Sequence, residues 1–247
     1  MIEIKNVWKS FEGNEVLRDL SLNISKGETV AIVGSSGCGK TVLLKHILGL
    51  LEPDRGEILV DGVNINKDSA RLFEIRKKFG MVFQSSALFD SLNVMENVTI
   101  GLREHFPDMG IKKMEDIGKE KLALVGLEES SFTKKPQEIS GGMKKRVAIA
   151  RAISLDPEYI IYDEPTTGLD PIMCAKMNEL MLHLKGKLGK TTIMVTHDLN
   201  TAFKVADRVA MLADGEIVFD GAPKEALKTN NKFVSMFIKS SSLRVQN

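Results

Sequence analysis

In the first sixty residues Leu20, Leu22 and Ile24 alternate with Ser21, Asn23 and Ser25, the period-two signal of a sheet with one wet face. Ile58-Leu-Val60 followed by Asp61-Gly62 continues it as strand and turn. Thr29 to Val33 does not alternate, as expected of a central parallel strand covered on both faces. From Lys40 the period becomes helical: Val42, Leu44, Ile47 and Leu48 share one stripe, and Gly49 stands near its end. A glycine-rich loop therefore joins a buried strand to a helix. Residues 88–155 lack strong strand runs and carry helical patterns, such as Ile117 to Val125 and Gly141 to Ser154, the latter stopped by Asp156-Pro157. This predicts a helical insertion. Buried-strand runs return at Tyr159 to Asp163 and Thr191 to Thr196 around a helix-length segment from Pro171 to Leu188, a βαβ rhythm. Arg208 to Ala213, Asp214-Gly215 and Glu216 to Asp220 read as a hairpin. The polar tail from Ser240 to Asn247 is expected to fray or to dock on a neighbour. No internal repeat or low-complexity tract interrupts the pattern.

Composition narrows the classes. The chain has 247 residues, 43% hydrophobic and 27% charged, which excludes fibrous and disordered classes. Its 34 basic and 33 acidic residues leave a net charge of +1, so a broad nucleic-acid-binding face is not expected. Cys38 and Cys174 cannot build a disulfide framework and lack metal-ligand spacing, which suits a reducing compartment. The amino terminus has no export pattern. Apolar stretches such as Val30 to Val33 fall far short of the roughly 20 residues of a membrane span. Any role at a membrane is expected to run through a partner.

Gly34-Ser35-Ser36-Gly37-Cys38-Gly39-Lys40-Thr41 matches G-x-x-x-x-G-K-[ST] between a buried strand and a helix, the context that makes this pattern a phosphate loop. Glycines let the backbone fold round an anion, with N–H groups and the helix N-terminus aimed at the phosphates. Lys40 is expected to reach the β- and γ-phosphates, and Thr41 to hold Mg²⁺ through its hydroxyl. Cys38 reads as a small filler whose backbone matters. The apolar strand Tyr159-Ile-Ile-Tyr162 ends in Asp163 and Glu164. Asp163 is expected to complete the Mg²⁺ shell and Glu164 to polarise an attacking water.

Ser140-Gly141-Gly142-Met143-Lys144-Lys145-Arg146 opens a predicted helix, with Ser140 as its cap and the N–H groups of Gly141 and Gly142 as a second anion site. This segment resembles the signature motif of ATP-binding-cassette (ABC) ATPases, usually LSGGQ, with Ile139 for Leu and Met143 for Gln. The family's other positions follow in order. Gln84 resembles the Q-loop glutamine that touches Mg²⁺, Asp170 in Gly168-Leu-Asp170 the D-loop, and His197 in Thr196-His197-Asp198 the switch histidine at the γ-phosphate. Phe11 is the better match to the adenine-stacking aromatic, with Trp8 the alternative.

The resemblance covers essentially the whole chain. It implies an α/β P-loop NTPase (RecA-like) core with an N-terminal antiparallel β subdomain and an inserted helical subdomain at 88–155, all within one ATPase domain, 1–247. It also implies a homodimer in which each ATP lies between the P-loop of one subunit and Ser140, Gly141, Gly142 and Asp170 of the other. The cofactors implied are ATP and Mg²⁺.

A narrower resemblance rests on Phe83 to Asn97, Gly101 to His105, Met143 in the signature and Asp170-Pro-Ile172. These look like the ATPases of Mce-associated lipid transporters of the Mla type. That implies phospholipid transport between inner and outer membranes, integral permease subunits, a periplasmic Mce-domain protein, and a place on the cytoplasmic face of the inner membrane. Ala87, Leu88 and Phe89 suit a short helix from a membrane subunit, or packing within the helical region. Lys144-Lys145-Arg146 reads as a solvated helix face. Two other readings stay open: an importer of amino acids or other small solutes, and an ATP-gated clamp or regulatory adaptor without transport.

Overall fold

The alternating pattern at the start forms an antiparallel sheet. Strand β1 (Ile2–Phe11) pairs with β2 (Asn14–Ile24), with Ile2 opposite Ile24, Ile4 opposite Leu22 and Val7 opposite Leu20. All six of these side chains are buried. The step from Ile4 to Val7 breaks strict alternation, and the strand absorbs it in a bulge where Asn6, at φ 47°, bonds Asp19 through its side chain at 2.9 Å. The bulge returns Val7 to the apolar face. The five residues of β3 (Thr29–Val33) are all buried, and α1 (Lys40–Ile47) follows. Strand β4 (Arg55–Val60) pairs with β1 and turns into the short β5 (Val63–Asn64). Helix α2 spans Ser69–Lys77.

The elements that follow are β6 (Phe79–Val82), α3 (Val94–His105), α4 (Ile111–Leu124), α5 (Gly141–Ala152), β7 (Tyr159–Asp163) and α6 (Pro171–Leu188). The chain ends with β8 (Thr191–Thr196), α7 (Leu199–Val205), β9 (Arg208–Ala213), β10 (Glu216–Gly221), α8 (Pro223–Ala226) and α9 (Lys232–Ser240). This computed structural model describes residues 1–67 and 69–241, so all of the tail expected to fray or dock except Ser240 and Ser241 lies outside the described residues. Among the described residues no helix is long and apolar enough to cross a membrane.

Two compact units result, one from Met1–Arg76 and the chain from Lys190 on, the other from Lys77–Gly189. The first holds the antiparallel sheet and a second sheet of order β10-β9-β3-β8, in which β3 runs parallel to both β8 and β9. The second holds the parallel pair β6 and β7 with α3, α4 and α5 packed on one another. Helix α3 starts at a capping box, where Asn93 accepts from the Glu96 N–H and Glu96 from the Asn93 N–H, each at 2.8 Å. Helix α4 begins six residues before the expected Ile117, because its first turns are mostly polar and carry little apolar period.

A half-buried cation ties the first unit together. The Arg208 guanidinium bonds Glu28 at 2.6 Å, both Asp220 oxygens and the Asn23 carbonyl. Burial alone would push the Glu28 carboxyl up, but Arg208 and the Ser25 N–H outweigh it and hold it below the usual range. A depressed carboxyl contributes stability above its unfolded pKa, lost as pH falls through the folded value. Arg208→Met is therefore expected to cost about 2–4 kcal/mol at neutral pH, with a gap to the parent that narrows in acid, as urea denaturation at several pH values will show.

Candidate functional site

The first unit folds the glycine-rich loop tightly. Gly34 follows β3 so closely that a Cβ there would meet the Leu212 carbonyl oxygen at 2.3 Å and the Cys38 Sγ at 2.6 Å. Gly39 caps α1 at φ 107°, a conformation that favours glycine, and no side chain caps that helix. The N–H groups of its first turn therefore lack partners within the helix. Lys40 is 7% exposed, and its ammonium donates to the carbonyls of Gly34 and Ser35, both at 2.8 Å. Both partners are dipoles, so the positive charge stays uncompensated and the loop suits a polyanion. Ser35, Ser36, Gly37 and Thr41 are exposed, whereas burial pushes the half-buried Cys38 thiol up, away from reactivity.

Parallel pairing brings His197 to this loop. Val33 is registered with Thr196 across β3 and β8, so the residues that follow them, Gly34 and His197, leave the same sheet edge. His197 is exposed. Asp198 behind it caps α7, accepting from the Asn200 N–H at 3.0 Å and the Thr201 hydroxyl at 2.6 Å. Phe11 is 42% exposed at the hairpin between β1 and β2, with the Lys9 ammonium 5.5 Å from its ring centre. The same hairpin runs the Val16 carbonyl and Leu17 past Gly39. Trp8 is half-buried within β1, so Phe11 is the more available ring.

The second unit repeats the arrangement. Val82 is registered with Tyr162 across β6 and β7, so Phe83-Gln84 and Asp163-Glu164 leave one edge together. Gln84 is exposed, Asp163 and Glu164 half-buried. Glu164 has φ 49°, and its carboxylate accepts from the Thr167 hydroxyl at 3.2 Å. Ser140 caps α5, accepting from the Met143 N–H at 3.3 Å, and Asp170 caps α6, accepting from the N–H groups of Ile172 and Met173 at 2.9 Å. Met173 packs over Gly142, its Cε 2.3 Å from where a Cβ would sit, so the starts of α5 and α6 share one surface. Ser140, Gly141 and Asp170 are exposed on it. Beside them a cavity of about 410 Å³ is lined by Lys134, Met143, Arg146 and Lys176 among others.

One expectation is overturned. Lys144-Lys145-Arg146 is not a solvated face: Lys145 is 6% exposed, and its ammonium donates to the Gln84 carbonyl at 2.9 Å and the Glu164 carbonyl at 3.4 Å. Burial pulls its pKa down, against the opposing pull of Cys174, Glu164 and Asp163. Arg146 is half-buried and bonds the Val125 and Gly126 carbonyls. The signal was in the period: Lys145 falls on one row with Gly142, Ile149 and Ala152, all buried in α5, and a lysine on a buried row needs polar partners. Asn97, fully buried, bonds the Phe89 N–H and carbonyl and the carbonyls of Leu92 and Asn93. It fixes the loop that leaves the Phe89 ring 50% exposed.

The donors expected for Mg²⁺ are the Thr41 hydroxyl, the Gln84 amide and the Asp163 carboxylate. Thr41 belongs to the first unit and Gln84 and Asp163 to the second, and each offers a hard oxygen, the ligand type magnesium takes. Among the described residues no cluster of three or more His, Cys, Asp or Glu forms a dedicated metal cage.

Residues 17–167 match the protein family described as ABC transporter. The chain is 44% identical over 234 residues to the probable ribonucleotide transport ATP-binding protein mkl of Mycobacterium leprae, covering 94% of this chain and 66% of that protein. It therefore spans about two thirds of that relative's length. It is 42% identical over 247 residues to the intermembrane phospholipid transport system ATP-binding protein MlaF of Haemophilus influenzae, covering 98% and 91%. Among solved structures, a dimeric ATP-binding cassette in a post-hydrolysis state with ADP and Pi bound superposes at TM-score 0.81, with 36% identity over 90% of this chain and 99% of that one. The cbiO1 protein of Clostridium perfringens, part of an ABC transporter complex, superposes at 0.84 with 28% identity, covering 97% and 98%.

The close approach at Gly34 makes a direct test. Gly34→Ala is expected to lower stability by about 1–3 kcal/mol through overpacking and to weaken triphosphate binding, read by urea denaturation and by calorimetric titration with ATP.

Proposed function

Because the chain belongs to the ABC transporter family, we propose that it is the ATP-hydrolysing subunit of a transporter that moves phospholipid between two membranes. The observation that carries this reading is the 42% identity to MlaF over nearly the full length of both chains. The phosphate loop takes the triphosphate, with Lys40 at the β- and γ-phosphates and the backbone of Gly34 to Gly39 round them. His197, on the same sheet edge, is assigned to the γ-phosphate and Phe11 to the adenine. Mg²⁺, held through Thr41, Gln84 and Asp163, would neutralise charge on the terminal phosphates. Glu164 polarises the attacking water, and a positioned base of this kind contributes about 10²–10⁴ in rate.

We infer that two copies act together. The exposed surface at Ser140, Gly141 and Asp170 supplies a second anion-binding helix end, assigned to the ATP held by the partner's loop. A related cassette is a dimer with ADP and Pi bound. Phe89 offers an exposed ring in a loop fixed from behind by Asn97, the rigid apolar contact an integral permease subunit would use. A permease would place the protein on the cytoplasmic face of the inner membrane, and a periplasmic Mce-domain protein would receive the lipid. The ribonucleotide-transport name of the mycobacterial relative keeps a small-solute transporter as the second reading. Co-purification separates them, since an Mce-domain protein supports lipid transport and a solute-binding protein supports the alternative.

Glu164→Gln is expected to bind ATP and accumulate as a closed dimer while turnover falls about 10²-fold or more, and unchanged hydrolysis would sink the base assignment. Ser140→Ala tests the composite site. It should lose ATPase activity at unchanged ATP affinity, whereas full activity in a strictly monomeric sample would overturn the two-copy arrangement.

A further inference from the structure

Helix α5 carries three cations that bond backbone oxygens, and two of them reach the segments that follow β6 and β7. Lys145 reaches the Gln84 and Glu164 carbonyls. Arg151, further along the helix, donates from Nη1 to the Ala87 carbonyl at 2.7 Å and from Nη2 to the Ser86 carbonyl at 2.8 Å. Ser86 and Ala87 hold successive left-handed conformations, φ 67° and 44°, which residues with a Cβ resist unless their surroundings impose them. The turn after Gln84 is thus strained and clamped from α5 at three carbonyls.

We propose that Lys145 is a positioning residue for ATP hydrolysis, and that with Arg151 it holds Gln84 and Glu164 in one frame set by the helix that begins at Ser140. The proposal rests on the hydrolytic reading above. Its bonds go to main-chain oxygens, so they fix where the Gln84 and Glu164 side chains begin without occupying either functional group. Strands β6 and β7 deliver both segments to the same edge, but the ladder ends at Val82 and Tyr162. Beyond it, one ammonium bridges the two segments. Since Ser140 caps the same helix, a displacement of α5 caused by an anion at Ser140 is carried to Gln84 and Glu164 together. That mechanically links the surface assigned to the partner's nucleotide with the residues assigned to Mg²⁺ and water.

The test uses the full chain and its Lys145→Met, Lys145→Arg and Arg151→Lys variants. Lys145→Met keeps the aliphatic stem and removes the donors. It is expected to lower kcat about tenfold or more while the ATP dissociation constant stays within about twofold. Hydrogen exchange in the nucleotide-free protein should accelerate at residues 84–87 and 164–167, with residues 30–41 unchanged. Lys145→Arg should recover part of kcat, and Arg151→Lys should loosen 86–87 alone. Unchanged exchange at both segments in Lys145→Met overturns the proposal. So does a kcat loss that comes with equal loss of ATP affinity and a lowered unfolding midpoint in both Lys145 variants, the mark of a general packing role. If the parent chain hydrolyses no ATP, the functional reading fails, and the exchange pattern still decides whether Lys145 holds the two segments.

Discussion

Parallel pairing of buried strands is the constraint from which the placement of chemistry follows. Two parallel strands end at the same edge, so whatever follows each of them is delivered side by side. In the first unit the pair Val33 and Thr196 releases Gly34 and His197 together. In the second, Val82 and Tyr162 release the Gln84 and Asp163 segments together. An antiparallel pairing would send the two members of each set to opposite ends. Strands β3 and β8 are buried at every position, as strands covered on both faces are, and the ionisable work is left to the residues just past their ends.

Those ends then need cations inside the protein. Lys40 and Lys145 are each less than a tenth exposed, and each donates to two main-chain carbonyls. A carbonyl satisfies a hydrogen bond without neutralising charge, so each ammonium keeps a field acting beyond its own partners. At Lys40 that field stands ready for the phosphates assigned to it under the proposed function. At Lys145 the carboxylates of Asp163 and Glu164 partly oppose the effect of burial, and the bonds serve geometry. In the roles proposed for them, chemically similar side chains serve as ligand charge in one unit and as brace in the other, according to what lies next to them.

Much of the fold was legible because its signals are local. The strand at Tyr159–Asp163, the helix at Pro171–Leu188 and the hairpin around Asp214-Gly215 follow from short runs of pattern and turn chemistry. The candidate site was read from the order of its motifs, each carried by a few consecutive residues such as Gly34 to Thr41. What escaped was set by packing at a distance. Lys145 reads as surface in a basic run, yet its partners lie 61 and 19 residues away in sequence. The early start of α4 escaped because Lys112, Lys113, Glu115 and Asp116 mask its period. The bulge at Asn6 escaped because its partner, Asp19, lies on the neighbouring strand.

Phe11 has a consequence for which nucleotide the protein accepts. The Lys9 ammonium stands over its ring, and phenylalanine has no hydrogen-bonding group. In the role assigned to it, the ring meets a base with a flat apolar face and reads none of the base's edge. Stacking rewards any purine of similar area, whereas the loop at Gly34 to Thr41 responds to the charge of the triphosphate. In that role Phe11 does not itself discriminate between adenine and guanine nucleotides, and any such selectivity has to be built elsewhere round the base.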